Sequence, residues 1–132
     1  MTPIVEQQHH PAVLVVDDES VIADTLAAIL NGNGYKAIVS YDGESAIETA
    51  FIQPPELLIT DVVLPGMNGI ELAVTLRRIF PECKVLLFSG HAATTHLMTS
   101  ALSAGNQFEL LSKPIHPVEL LKHIGRIFKR HI

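Results

Sequence analysis

Apolar residues fall into five short runs: Ala12–Val16, Ala37–Val39, Leu57–Ile59, Val85–Phe88 and Phe108–Leu111. Runs this short, continuous rather than alternating, predict β-strands covered on both faces, as in a parallel sheet flanked by helices. Between them apolar residues recur at helical spacing. Ile22, Leu26, Ile29 and Leu30 mark one face of a first helix, which Asn31-Gly32-Asn33-Gly34 should stop. Further helices are predicted over about Glu44–Phe51, Ile70–Phe80 and Thr94–Ala104. A last one, from Val118, carries Leu120, Leu121, Ile124, Ile127 and Phe128 on its apolar face. Pro54-Pro55 reads as the stop of the second helix.

Strand followed by helix, five times over, predicts a doubly wound α/β domain, because parallel neighbours need crossover helices. Ligands of such sheets bind beyond the carboxyl ends of the strands. The chemistry is therefore to be sought in the residues that follow each run.

Length and charge narrow the picture. The 132 residues suit a single domain, and 48% hydrophobic content is enough for a core. The division expected is a loose arm over residues 1–11 and one domain over 12–132. The longest apolar runs have five residues, against the roughly 18 to 20 needed to cross a bilayer, so no membrane span is expected. A lone Cys83 has no partner for a disulfide and the first residues do not resemble a secretion signal, so the cytoplasm is the expected location. Five of the nine Lys and Arg lie in residues 113–132 beside a single acid, Glu119; residues 1–112 carry four basic and thirteen acidic side chains. Such a body repels phosphate backbones and argues against direct nucleic-acid binding.

After the first run comes Asp17-Asp18-Glu19-Ser20, after the third Asp61, after the fourth Ser89-Gly90, and after the fifth Lys113-Pro114. Taken singly, Asp18, Ser20 or Ser89 would cap a helix, Asp61 would open the Pro65-Gly66 turn, and Lys113 would be a surface charge. Together they converge on one rim. Three carboxylates crowded there repel one another unless they hold a hard cation through oxygen, and Mg²⁺ also accepts water and phosphate oxygens. A lysine and a hydroxyl alongside suit the other oxygens of a phosphoryl group. The constellation reads as a phosphoryl site built around an aspartate nucleophile. The histidines have no ligand spacing: His9 and His10 lie in the arm, and His96, His116, His123 and His131 are scattered.

Val15-Val16-Asp17-Asp18-Glu19, the segment Asp61 to Gly69 (DVVLPGMNG), Ser89-Gly90 and Lys113-Pro114 stand in the order and spacing of a known family. Over about Ala12 to Phe128 the chain resembles the receiver domain of two-component response regulators, single-domain chemotaxis regulators among them. The resemblance implies a (βα)5 flavodoxin-like domain with a five-stranded parallel sheet of order 2-1-3-4-5. It implies that Asp61 accepts a phosphoryl group from a sensor histidine kinase or phosphotransfer protein, and that the switched surface then acts on a downstream effector protein. Asp17, Asp18, Asp61 and the carbonyl of Val63 would hold Mg²⁺, with Asp17 acting partly through water. Lys113 would pair with the phosphoryl group, Ser89 would move to bond it, and Val62 and Gly90 would bind its oxygens. The Lys113-Pro114 peptide would be cis. A monomer or weak dimer is expected, with no catalysis beyond its own phosphorylation and dephosphorylation. The kinase would meet the first helix and the loop after the fifth strand, around Ser20, Val21, Ala23, Asp24, Ile115 and His116.

Two features depart from the family pattern. Receivers usually carry an aromatic residue three positions before the lysine, where this chain has Leu110. Phe108 shares its strand face and is either a shifted reporter on the pocket or plain core. Val63, two residues after Asp61, can neither donate nor accept a hydrogen bond through its side chain, and His91 is a candidate lid over the same pocket. A flavin site is disfavoured because Asp17-Asp18-Glu19 would repel a phosphate, and an aspartate-based phosphatase because no acid lies two residues after Asp61. The remaining alternative is a receiver-like binding module that works without phosphorylation.

Overall fold

A computed structural model describes residues 9–90 and 108–129. The elements in order are β1 (Ala12–Val16), α1 (Ser20–Asn31), β2 (Lys36–Ser40), α2 (Gly43–Ile52), β3 (Leu57–Asp61), α3 (Gly69–Ile79), β4 (Lys84–Ser89), β5 (Glu109–Ser112) and α4 (Pro117–Ile127). The helix expected over Thr94–Ala104, together with His91, His96, His131 and most of the expected arm, lies outside the described residues. All strand pairs are parallel, and the sheet order is β2-β1-β3-β4-β5.

Alternation along the strands sends the core to both faces of the sheet. Leu14, Val16, Leu58, Val62, Val85 and Leu87 pack under α2 and α3. Val13, Val15, Leu57, Ile59, Leu86 and Phe88 pack under α1 and α4. The three central strands are almost wholly buried, as continuous apolar runs require. The outer strands are not: β2 is mostly half-buried, and β5 is mostly exposed, with Leu110 open to solvent.

Local chemistry sets the helix ends. α1 stops at Asn31, and Gly34, at φ 89°, takes the left-handed turn that feeds β2. Ala23 and Ala27 are buried on α1 while Ile22 and Ile29 are only half-buried, because small residues let the helix approach the sheet. Asp42 accepts from the Ser45 amide at the start of α2, and Asn68 with Glu71 closes a reciprocal capping box on α3. On α4, Leu120 and Ile124 are buried, whereas Leu121, Ile127 and Phe128 are partly exposed. None of the described helices is long and apolar enough to cross a membrane.

Candidate functional site

The strand register brings the polar residues together. Val15 pairs with Ile59, and Phe88 lies between Asp61 and Leu111. Two residues past Val15 and Ile59, and two past Leu111, come Asp17, Asp61 and Lys113, all continuing the α1/α4 face at the carboxyl end of the sheet. Asp17 is completely buried and Asp61 is 4% exposed, whereas Asp18 is exposed. One carboxylate oxygen from each of the three lies within 4.8 Å of the others.

Lys113 reaches into this cluster. Its Nζ donates to Asp61 Oδ2 at 2.9 Å and Asp17 Oδ2 at 3.3 Å, with Glu19 Oε1 at 3.8 Å. The ammonium also lies 5.1 Å from the centre of the Phe88 ring. Burial pulls the Lys113 pKa down, but the bond to Asp61 and the charges of Asp61 and Asp17 outweigh it and hold it above the ordinary lysine value. Burial pushes the Asp17 carboxyl up, by more than the Glu19 amide and Lys113 pull it down. The Glu19 amide donates to Asp17 Oδ1 at 2.9 Å, fixing that carboxylate.

The other predicted residues surround this centre. The Val63 amide donates to Asp61 Oδ1 at 3.3 Å. Ser89 is buried at the end of β4, and its carbonyl accepts from the Lys113 amide at 3.2 Å. Gly90 follows, where a Cβ would come within 3.5 Å of Lys113 Cβ. The Lys113–Pro114 peptide is cis.

Two expectations, for Val62 and Ala23, need correction, and the choice left open for Phe108 is resolved. Val62 does not face the phosphoryl position: its amide donates to the Phe88 carbonyl at 3.1 Å and its side chain is buried under α2 and α3. The amide that meets the Asp61 carboxylate is that of Val63. Phe108 packs on the α2/α3 cluster with the Arg77 guanidinium 5.1 Å from its ring. It precedes β5, so a strand of four residues, roughly 13 Å, separates it from the rim; it is core. Ala23 is fully buried and presents nothing to a partner, unlike exposed Ser20, Val21 and Asp24. The capping roles of Asp18 and Ser20 on α1 also fall away, because Glu19 stands at its N-cap without a side-chain capping bond.

The donor set tests the implied cation. Three carboxylate oxygens close together, two of them on buried side chains and with no histidine or cysteine in the group among the described residues, match a hard divalent ion such as Mg²⁺. Sequence reasoning gave no site role to Phe88, whose place beside Lys113 follows from register rather than motif.

The sequence model of the response regulator receiver domain matches residues 13–125. The chain belongs to the response regulator receiver family. Solved structures agree with that assignment. A CheY-like response regulator receiver domain protein from Methanospirillum hungatei matches with a TM-score of 0.82 and 26% identity, over 92% of this chain and 95% of that one. The chemotaxis protein CheY4 of Vibrio cholerae matches at 0.79 and 26%, over 90% and 99%. A two-component transcriptional regulator AraC from Clostridium phytofermentans matches at 0.76 and 30% identity, over 90% and 92%. The receiver fold and the acidic pocket where such domains bind Mg²⁺ are thus both present in this chain. As a family, receivers are signalling modules rather than turnover enzymes.

Proposed function

We propose that this receiver takes a phosphoryl group onto Asp61 from the phosphohistidine of a sensor histidine kinase or phosphotransfer protein, and so switches its affinity for an effector protein. An Asp61 oxygen forms the new P–O bond as the P–N bond of the donor breaks, and the bonding pair leaves with the imidazole, which takes up a proton. The observation that carries this reading is the Lys113 ammonium held between Asp61 and Asp17, because phosphoryl transfer needs chiefly a placed nucleophile and neutralised charge. Asp17, Asp18, Asp61 and the Val63 carbonyl would hold Mg²⁺. When bound, the ion supplies positive charge against the phosphoryl oxygens and relieves the repulsion of the carboxylates.

The chain's own groups do the rest. Lys113 moves from carboxylate to phosphoryl oxygen, and the Val63 amide, in the role first assigned to Val62, donates to another. Ser89 and the Gly90 amide complete the cradle, so the added charge of about −2 is felt at the end of β4. Docking uses the groove of about 480 Å³ between α1 and the β5–α4 loop, where Val21, Ile22, Pro114, Ile115 and Pro117 adjoin Lys113. The setting is the cytoplasm, as a monomer or weak dimer with no nucleic-acid contact of its own. Incubation with acetyl phosphate and Mg²⁺ should add one phosphoryl mass, absent from Asp61→Asn. Equal labelling of wild type and variant would overturn the site, and no labelling of either would favour a binding module that works without phosphorylation.

A further inference from the structure

Thr60 precedes Asp61 on β3, and its side chain belongs to the opposite face of the sheet. It is completely buried, flanked in register by Val16 and Leu87 and on its own strand by Leu58 and Val62. Valine would fill the same volume there, and a hydroxyl among apolar side chains is costly unless bonded. Thr60 Oγ1 donates to the carbonyl oxygen of Asp61 at 2.9 Å. The amide of that same peptide unit, on Val62, donates to the Phe88 carbonyl at 3.1 Å. Gly69 closes against the carbonyl from α3: a Cβ at that position would overlap the Asp61 oxygen, and its amide donates to the Val62 carbonyl at 2.8 Å.

Both polar atoms of the Asp61–Val62 peptide are therefore held. The plane of that peptide fixes ψ of Asp61 and φ of Val62, hence where the Asp61 carboxylate points and where the Val63 amide lies. We infer that Thr60 is a positioning residue for phosphoryl transfer: its hydroxyl, with Gly69 packed alongside, locks this peptide so that the Asp61 carboxylate and the Val63 amide face the incoming phosphorus together. Thr60 itself touches neither donor nor phosphoryl group. The inference rests on Asp61 being the phosphoacceptor.

The test compares wild type, Thr60→Val and Thr60→Ser, with Ile124→Val on α4 as a mildly destabilised control. Labelling by acetyl phosphate and Mg²⁺ is followed by intact mass across donor concentrations. The maximal labelling rate of Thr60→Val should fall about tenfold, from a lost hydrogen bond and a misaimed nucleophile, with the half-saturating donor concentration unchanged. Thr60→Ser should restore the rate. Independently of labelling, the carbonyl ¹³C resonance of Asp61 should shift in Thr60→Val and return in Thr60→Ser. A wild-type rate in Thr60→Val, a Thr60→Ser as slow as it, or equal slowing in Ile124→Val would overturn the inference. Failure of wild type to label at all would instead strike the phosphoacceptor reading beneath it.

Discussion

Val63 is 40% exposed and its amide donates to Asp61 Oδ1, which puts the residue beside the proposed phosphoacceptor and the water that would hydrolyse an acyl phosphate there. An isopropyl group cannot orient that water, whereas an amide side chain can. The phosphorylated protein should therefore decay more slowly than Val63→Asn, measured as single-turnover loss of the phosphoryl mass at fixed Mg²⁺ and pH. Equal or slower decay in the variant would contradict this. Far from the site, burial pushes the Cys83 thiol up to about 11, against a smaller downward pull from Arg77. Above about pH 9 the unfolded chain therefore releases a proton that the folded chain keeps, and stability falls as pH rises toward that folded value. Denaturation midpoints at pH 7 and pH 10 should show a steeper loss in wild type than in Cys83→Ala, the other alkaline groups being common to both. Parallel losses would contradict the buried thiol.

α3 is the element that carries Gly69 to the Asp61 carbonyl, and its start depends on the Asn68–Glu71 box. Asn68 Oδ1 accepts from the Ile70 and Glu71 amides at 2.9 Å, and Glu71 Oε1 accepts from the Asn68 amide at 2.9 Å. Asn68→Ala should cost about 1 kcal/mol, the usual loss for removing such a cap. Because the two side chains act reciprocally, Glu71→Ala should add less to Asn68→Ala than it costs alone, which urea midpoints of the double-mutant cycle will show. Full additivity would mean that the two caps work separately. The periodicity had already placed this helix over Ile70–Phe80, one residue from its observed span. The box itself was not read from the sequence, where Asn68 appears only as a member of the Asp61–Gly69 motif and Glu71 is given no role.

For the molecule as a whole, the rim holds two buried carboxylates, Asp17 and Asp61, close to Asp18. Lys113 attracts Asp17 more strongly than Asp61 repels it, and burial is the largest cost to the Asp17 charge. An ion bound at ten times its dissociation constant should stabilise the fold by about 1.4 kcal/mol by mass action. Asp61→Asn keeps an oxygen for Lys113 while removing one charge, so without metal it should melt about 2 to 5 °C above wild type. Thermal melts with and without Mg²⁺ test both, and a wild-type curve indifferent to Mg²⁺ would contradict the shared site. By itself the sequence determined the strands, the described helices bounding them and the convergence of Asp17, Asp18, Asp61, Ser89 and Lys113, because run length, helical period and strand-end position are local properties of the chain. Only the tertiary structure decided that Val62 turns its amide to Phe88 and leaves the Val63 amide to Asp61, that Ala23 faces the core, and that Phe108 belongs under Arg77. These depend on which neighbour each backbone group or ring meets across the sheet and beneath the helices, and parallel register joins residues too distant in the chain for any local pattern to specify.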